Sequence, residues 1–151
     1  METTTSTVGC DVGDQHTQLC VLDANGRVVE RARLRTSRAA LRKWFVGRAR
    51  SVVVIEAGTH SRWIAEELES AQHEVIVANP RQVRLIYAGR KKNDRLDAET
   101  LARLARADRQ LLSPIQHRSA EAHADLSVLR SRNALVEART TLINHVRGVA
   151  K

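Results

Sequence analysis

Between Val8 and Val77, short β-branched runs alternate with turn signals and with amphipathic stretches of helical period, the pattern of a mixed α/β domain. Three strands are predicted first, over Val8 to Val12, Gln18 to Leu22 and Val28 to Leu34. They are separated by Gly13-Asp14 and by Asp23-Ala24-Asn25-Gly26, and the Asn-Gly pair is a strong signal for a tight hairpin, so the three should form an antiparallel meander. Ser37 is placed to cap a helix running through Arg48, and the wholly apolar run Ser51 to Ile55 reads as a strand buried on both faces. Thr59 is expected to cap a second helix, from His60 to Ala71. Glu74 to Ala78 returns as a strand, and Asn79-Pro80 opens a short helix toward Tyr87.

Gly89-Arg90-Lys91-Lys92-Asn93 reads as a basic loop, and Asp94 to Arg109 as a helix with aspartates at its positive N-terminal end. Ser113-Pro114 marks a boundary. From Ser119 onward the chain is polar, arginine-rich and helical, with Leu129, Val136 and Ile143 seven apart and Leu135, Leu142 and Val149 seven apart. The expected organisation is a domain over 1–112, a linker over 113–118 and a helical region over 119–151 that needs a partner. The sequence stops at Lys151 inside the helical pattern, which suggests a larger protein cut here or a truncated natural chain. No internal repeat or low-complexity segment is found.

Charge narrows the partners. Lysine and arginine number 25 against 17 aspartate and glutamate, a formal charge of +8, which favours a polyanion such as nucleic acid or an anionic membrane. No apolar run approaches the roughly 20 residues that span a bilayer, and Met1 to Thr7 carries no signal-peptide core, so a cytoplasmic protein without a membrane partner is expected. Cys10 and Cys20 lack C-x-x-C spacing and read as small buried residues. The histidines show no zinc-site spacing and read mostly as surface residues, and neither a G-x-S-x-G nor a Walker A sequence occurs.

The candidate chemistry lies in carboxylates. Asp11 lies at the end of the first strand within Gly9-Cys10-Asp11-Val12-Gly13, where glycine lets backbone or ligand approach closely; taken alone it reads as a turn-forming residue sooner than as a catalytic one. Glu56 ends the run Val52 to Ile55, at the strand edge where α/β domains commonly bind ligands, though an exposed strand-end glutamate looks the same. Asp94 and Asp97, three apart, share a helix face that continues through Leu101, Leu104 and Ala105, with Arg95, Glu99, Arg103 and Arg106 on the wetter side. Carboxylates turned toward an apolar face need compensation, and a hard divalent cation supplies it; an N-cap role would account for Asp94 but not for Asp97. Around them, six basic residues (Arg81, Arg84, Arg90, Lys91, Lys92 and Arg95) stand against the single acid Asp94 between positions 81 and 95, which suits metal on one side and a phosphate backbone on the other.

Four stretches together carry a resemblance: Val8-Gly9-Cys10-Asp11-Val12, Val54-Ile55-Glu56-Ala57-Gly58-Thr59, Val77-Ala78-Asn79-Pro80-Arg81-Gln82-Val83 and Lys92-Asn93-Asp94-Arg95-Leu96-Asp97-Ala98. Over nearly its whole length the chain resembles the DEDD-type insertion-sequence transposases, which include Piv-like DNA invertases and RNA-guided bridge recombinases. The resemblance implies an α/β RNase H-like domain similar to RuvC resolvases, whose four catalytic, metal-binding acids fall on Asp11, Glu56, Asp94 and Asp97 with Mg²⁺ or Mn²⁺ as cofactor. Asn93 stands where the family often has threonine. It further implies DNA as substrate, a guide RNA in members that use one, a bacterial cytoplasmic, nucleoid-associated location, and a homo-oligomer for the full-length protein. His117 to Lys151 looks like the start of the coiled-coil region that follows the catalytic domain. The serine nucleophile of the family's C-terminal domain has no counterpart here, since Ser61 and Ser113 read as helix-start and linker residues.

Three other readings remain at this level. One is a self-sufficient resolvase-like nuclease. Another is an actin-like sugar kinase, to whose phosphate hairpin Asp11-Val12-Gly13-Asp14-Gln15-His16 is similar, although the chain is too short for two lobes and has no second glycine-rich phosphate loop. The third is a basic binding module with an inactive site. Only Trp44, Phe45, Trp63 and Tyr87 are aromatic, so extensive base stacking is not expected.

Overall fold

The first three strands pair as their alternation predicts. β1 (Thr7–Val12), β2 (His16–Leu22) and β3 (Val28–Arg35) form an antiparallel meander. At the β2–β3 turn Asp23 Oδ1 accepts hydrogen bonds from the backbone N–H groups of Asn25 and Arg27, each 2.9 Å, and Gly26 takes φ +77°, a conformation that glycine adopts without a Cβ penalty. The computed structural model describes residues 6–87, 94–117 and 119–150, with the backbone alone for a few helical positions that include Asp94 and Arg95. The predicted basic loop, with Arg90, Lys91 and Lys92, lies outside the described residues.

α1 (Arg38–Phe45) is capped as expected, by the Ser37 side chain accepting from the Ala40 N–H at 3.3 Å. It stops three residues before Arg48, because Val46 leaves the helical region and Gly47 turns to φ +75°. Arg48 folds back instead, stacking 3.6 Å above the Trp44 ring and forking onto Glu30 of β3 at 2.7 and 2.8 Å. β4 (Val52–Glu56) enters the sheet parallel to β1, and β5 (Glu74–Ala78) adds parallel to β4, giving the order β3-β2-β1-β4-β5. Between them runs α2 (Ser61–Ser70). Thr59 does not cap it; His60 holds the cap position without a side-chain bond, and Ser61 Oγ closes the turn instead, accepting from the Gly58 N–H at 3.1 Å and donating to its carbonyl at 2.8 Å.

One sheet face carries Val8, Cys10, Leu19, Val21, Val53 and Ile55 and packs against Leu41 and Phe45 of α1 and Ile64 and Leu68 of α2. The opposite face is covered by α3 (Pro80–Tyr87), α4 (Asp94–Ala107) and a 3-10 turn over Arg109–Leu112. There Val54, Ile76 and Ala78 meet Val83, Leu101, Ala105 and Leu112, while Cys20 and Leu22 meet Ala98 and Ala102. Both cysteines are buried thiols, as expected, and burial pushes that of Cys10 far up. The mixed sheet with helices on both faces is the expected RNase H-like architecture.

α4 sits closer to the sheet than its leucines alone suggest. Its buried side is Ala98, Leu101, Ala102 and Ala105, with the expected Leu104 only partly buried. A Cβ at Gly9 of β1 would fall inside van der Waals distance of the Ala98 carbonyl oxygen and 2.9 Å from the Ala102 nitrogen, so helix backbone rests on strand backbone. The expected wet side is also employed. Glu99 is ion-paired with Arg31 of β3 and with Arg103 at 2.7 Å, while Arg103 and Arg106 donate to the carbonyls of Gly26 and Asp23, each at 3.2 Å. The helix ends at Ala107 rather than Arg109 because Asp108 turns out to accept from the Gln110 N–H at 2.8 Å and caps the 3-10 turn.

His73 is not the surface residue its sequence context suggests. It is 5% exposed, its ring meets Phe45 edge-on at 5.0 Å between centroids, and its Nδ1 accepts from the Ser51 N–H at 3.2 Å. Burial holds it below the ordinary histidine pKa, opposed in part by the Phe45 carbonyl.

The chain divides into two compact units, Met1–Gln116 and His117–Lys151. In the second, α5 (Ala120–Val149) is capped by Ser119, which accepts from the Ala122 N–H at 3.2 Å. Leu129, Val136 and Ile143, and Leu135, Leu142 and Val149, are exposed along it. Among the described residues no helix is long and apolar enough to cross a membrane.

Two stability measurements follow from this packing. Gly9→Ala should cost about 2–3 kcal/mol by overpacking, seen as a drop of roughly 5–10 °C in thermal midpoint, because backbone rather than a flexible side chain must move. Because folded His73 resists protonation, its contribution is complete above the unfolded histidine pKa of about 6.5 and is lost as pH falls below it. The urea midpoint should therefore fall more steeply from pH 7.5 to 5.5 in wild type than in His73→Gln; parallel profiles would rule this out.

Candidate functional site

Strand alternation decides where the two strand-borne acids point. Cys10 and Ile55, the last paired residues of the parallel strands β1 and β4, both pack on the α1/α2 face. Asp11 and Glu56, one residue further, therefore project from the other face, the one bearing Gly9, Val54 and α4. Both are half-buried and line a single cavity of about 260 Å³ at the C-terminal edge of β1 and β4, together with Asp14, Thr59 and His60.

The direction of α4 fixes the other two. Its centre, at Ala98 and Ala102, lies on Gly9, and its later residues Arg103 and Arg106 reach the β2–β3 turn, beside the start of β1. α4 thus runs antiparallel to β1, and its N-terminus heads toward the Asp11 end. Asp94 precedes Ala98 by about 6 Å of helix, at 1.5 Å per residue, while Asp11 follows Gly9 by about 7 Å of strand. Backbone register therefore carries the start of α4 to the level of the cavity. Asp97 is half-buried on this helix; the side chains of Asp94 and Arg95 lie outside the described residues. Asp11, Glu56 and Asp97 each make contacts with neighbouring groups. Among the described residues no three His, Cys, Asp or Glu side chains form a group that could hold a metal ion, and the side chain of the fourth acid, Asp94, is not among them. The two carboxylates that share the cavity, Asp11 and Glu56, offer hard oxygen ligands of the kind that suits Mg²⁺ or Mn²⁺.

Of the predicted basic residues, Arg81 and Arg84 are exposed on α3, whose Val83 packs with Ile76 and Ala78 of β5. The structure adds one residue that spacing did not single out. His60 Nδ1 accepts from Trp63 Nε1 at 3.1 Å, so the ring proton resides on Nε2, which faces Asp14 Oδ1 at 3.5 Å across the cavity mouth. The only signal available in the sequence was the three-residue step from His60 to Trp63 at a helix start.

An antiparallel meander extended by two parallel strands, with acids at the edge of β1 and β4, defines an RNase H-like fold. The DEDD transposase profile of the IS110 type matches residues 8–151, and the chain belongs to that transposase family. It is 34% identical over 144 residues to a family 20 transposase of Pseudomonas aeruginosa, covering 95% of this chain and 41% of that one. It is 30% identical over 155 residues to the transposase for insertion sequence element IS1111A of Coxiella burnetii, covering 94% and 38%. The chain therefore spans about two fifths of the length of these relatives. Thermus thermophilus RuvC, solved in complex with a Holliday junction substrate, aligns over 70% of this chain and 97% of its own at 16% identity, with a TM-score of 0.48.

Proposed function

We propose that this chain is the metal-binding catalytic domain of a DNA transposase, in which Asp11, Glu56, Asp94 and Asp97 hold one or two Mg²⁺ or Mn²⁺ ions against a scissile phosphodiester. The reading keeps the division into a catalytic domain over 1–112, a linker over 113–118 and the beginning of a coiled-coil region over 119–151. What carries it is the shared cavity of Asp11 and Glu56 at the edge of two adjacent parallel strands, toward which the acid-bearing end of α4 is directed.

The chemistry follows from charge. Bound metal supplies Lewis-acid polarisation of the phosphate and neutralises the carboxylates. Asp11 and Glu56, held by the hydrogen-bonded ladder, are a rigid pair of oxygen donors. Asp94 and Asp97, three residues apart on α4, would complete the donor set. Arg81, Arg84, Arg90, Lys91, Lys92 and Arg95 attract the DNA backbone, or a guide RNA where one is used, without reading sequence. In this reading the attacking serine hydroxyl of the family is not supplied by residues 1–151, and the working enzyme is a homo-oligomer in the bacterial cytoplasm.

The test is a metal-dependent thermal shift. Saturating Mg²⁺ or Mn²⁺, at about a hundred times its Kd, should add roughly 3 kcal/mol and raise the midpoint by about 5–10 °C. Asp11→Asn and Glu56→Gln, which keep the side-chain shape and remove the charge, should abolish the shift while each variant still unfolds cooperatively without metal. A midpoint indifferent to both ions would remove the metal assignment. Branched DNA incubated with the chain and Mg²⁺ should remain uncut; cleavage would favour the self-sufficient resolvase reading.

A further inference from the structure

We propose that the outer face of β3, through Arg33 and Arg35, seats the phosphodiester backbone of the DNA strand that reaches Asp11 and Glu56. This rests on the phosphodiester reading of the acidic site and extends it to a surface outside the basic strip at positions 81–95.

Sheet register makes the connection. Asp11 is paired with Gln18 and Gln18 with Arg33, so one cross-strand row runs from the cavity to the sheet edge on a single face. Arg35, paired with His16, is the next residue of β3 on that face. With strands about 4.8 Å apart, Arg33 lies roughly 10 Å from Asp11 along the row, which at about 3.4 Å per nucleotide is some three phosphates of one strand.

The face is open where these arginines stand. α4 covers it at Gly9, Cys20 and Leu22, and the ion pair between Glu99 and Arg31 marks the limit of that cover. Arg31 is thereby neutralised. Arg33 and Arg35, beyond it, are exposed, and among the described residues neither enters an ion pair. Their in-between neighbours Ala32 and Leu34 pack against the core, so β3 is anchored by one face and presents positive charge on the other. Basic side chains also discourage edge-to-edge pairing of an outer strand, a duty that needs charge at the edge but no continuity with Asp11. The acids sit between two positive flanks, β3 on one side and Arg81 and Arg84 of α3 toward the β5 edge on the other. A polyanionic strand can cross a carboxylate centre only with such compensation on its approach.

Fluorescence anisotropy with a labelled single-stranded oligonucleotide, in EDTA at about 50 mM salt, separates these roles. The Arg33→Ala, Arg35→Ala double variant should bind about tenfold more weakly, with the slope of log K against log salt reduced by about 1.4, the value for two lost phosphate contacts on a single strand. Arg27→Ala with Arg50→Ala removes the same charge from exposed positions at the other end of the sheet and should change affinity less than twofold. Equal loss in both pairs, or none in the first, would overturn the proposal. Asp11→Asn in EDTA should tighten binding severalfold in wild type and much less in the Arg33→Ala, Arg35→Ala background. Equal gains in the two backgrounds would disconnect β3 from the cavity. Because no metal is present, these outcomes stand apart from the thermal shift that tests the carboxylates as ligands.

Discussion

The contact of α4 with β1 at Gly9 governs the rest of the arrangement. Helix and strand backbones meet there without an intervening side chain, because Gly9 has none and Ala98 and Ala102 contribute only methyl groups. Such an approach fixes height and register together. A larger residue at any of the three would lift the helix and displace its N-terminus, which is the end that carries Asp94 and Asp97. Around this contact Glu99, Arg103 and Arg106 tie α4 to β3 and to the β2–β3 turn, so sliding along the sheet is resisted by directional bonds as well as by packing.

Bringing carboxylates together opposes folding, and the elements that hold them are suited to that load. Asp11, one residue from the end of β1, and Glu56, at the end of β4, lie on strands locked in the middle of a five-stranded ladder, beside side chains of the core that are wholly buried. Neither strand can retreat without breaking several backbone hydrogen bonds. In the proposed working state divalent metal offsets that repulsion. The same logic explains why so much of the positive charge stands outside the core as solvated arginine. Several structural arginines are matched to a named acid, Arg48 to Glu30, Arg42 and Arg38 to Glu67, Arg31 and Arg103 to Glu99, and in each of these the guanidinium holds the carboxyl below its ordinary range.

Much of the fold was legible along the chain. The meander, the buried β4 run, the Ser37 cap and the positions of β5, α3 and α4 follow from period, turn residues and caps, which act over a few residues and leave a local trace. The misreadings share a cause. The end of α1, the unused Thr59 cap, the buried His73 and the true face of α4 each depend on what a distant element offers: Glu30 for Arg48, Gly58 for Ser61, Ser51 for His73 and Gly9 for Ala98.

The site divides along the same line. Sequence by itself determined which residues are acidic, that each strand-borne acid lies near the end of a strand, that Asp94 and Asp97 are spaced three apart on one helix, and, through its motifs, the transposase family. Only the tertiary structure decided that Asp11 and Glu56 face the same side and share a cavity, that α4 runs antiparallel to β1, and that Arg33 lies in the row of Asp11. Those are facts of strand pairing and helix direction between segments far apart in the chain, and no local propensity encodes them.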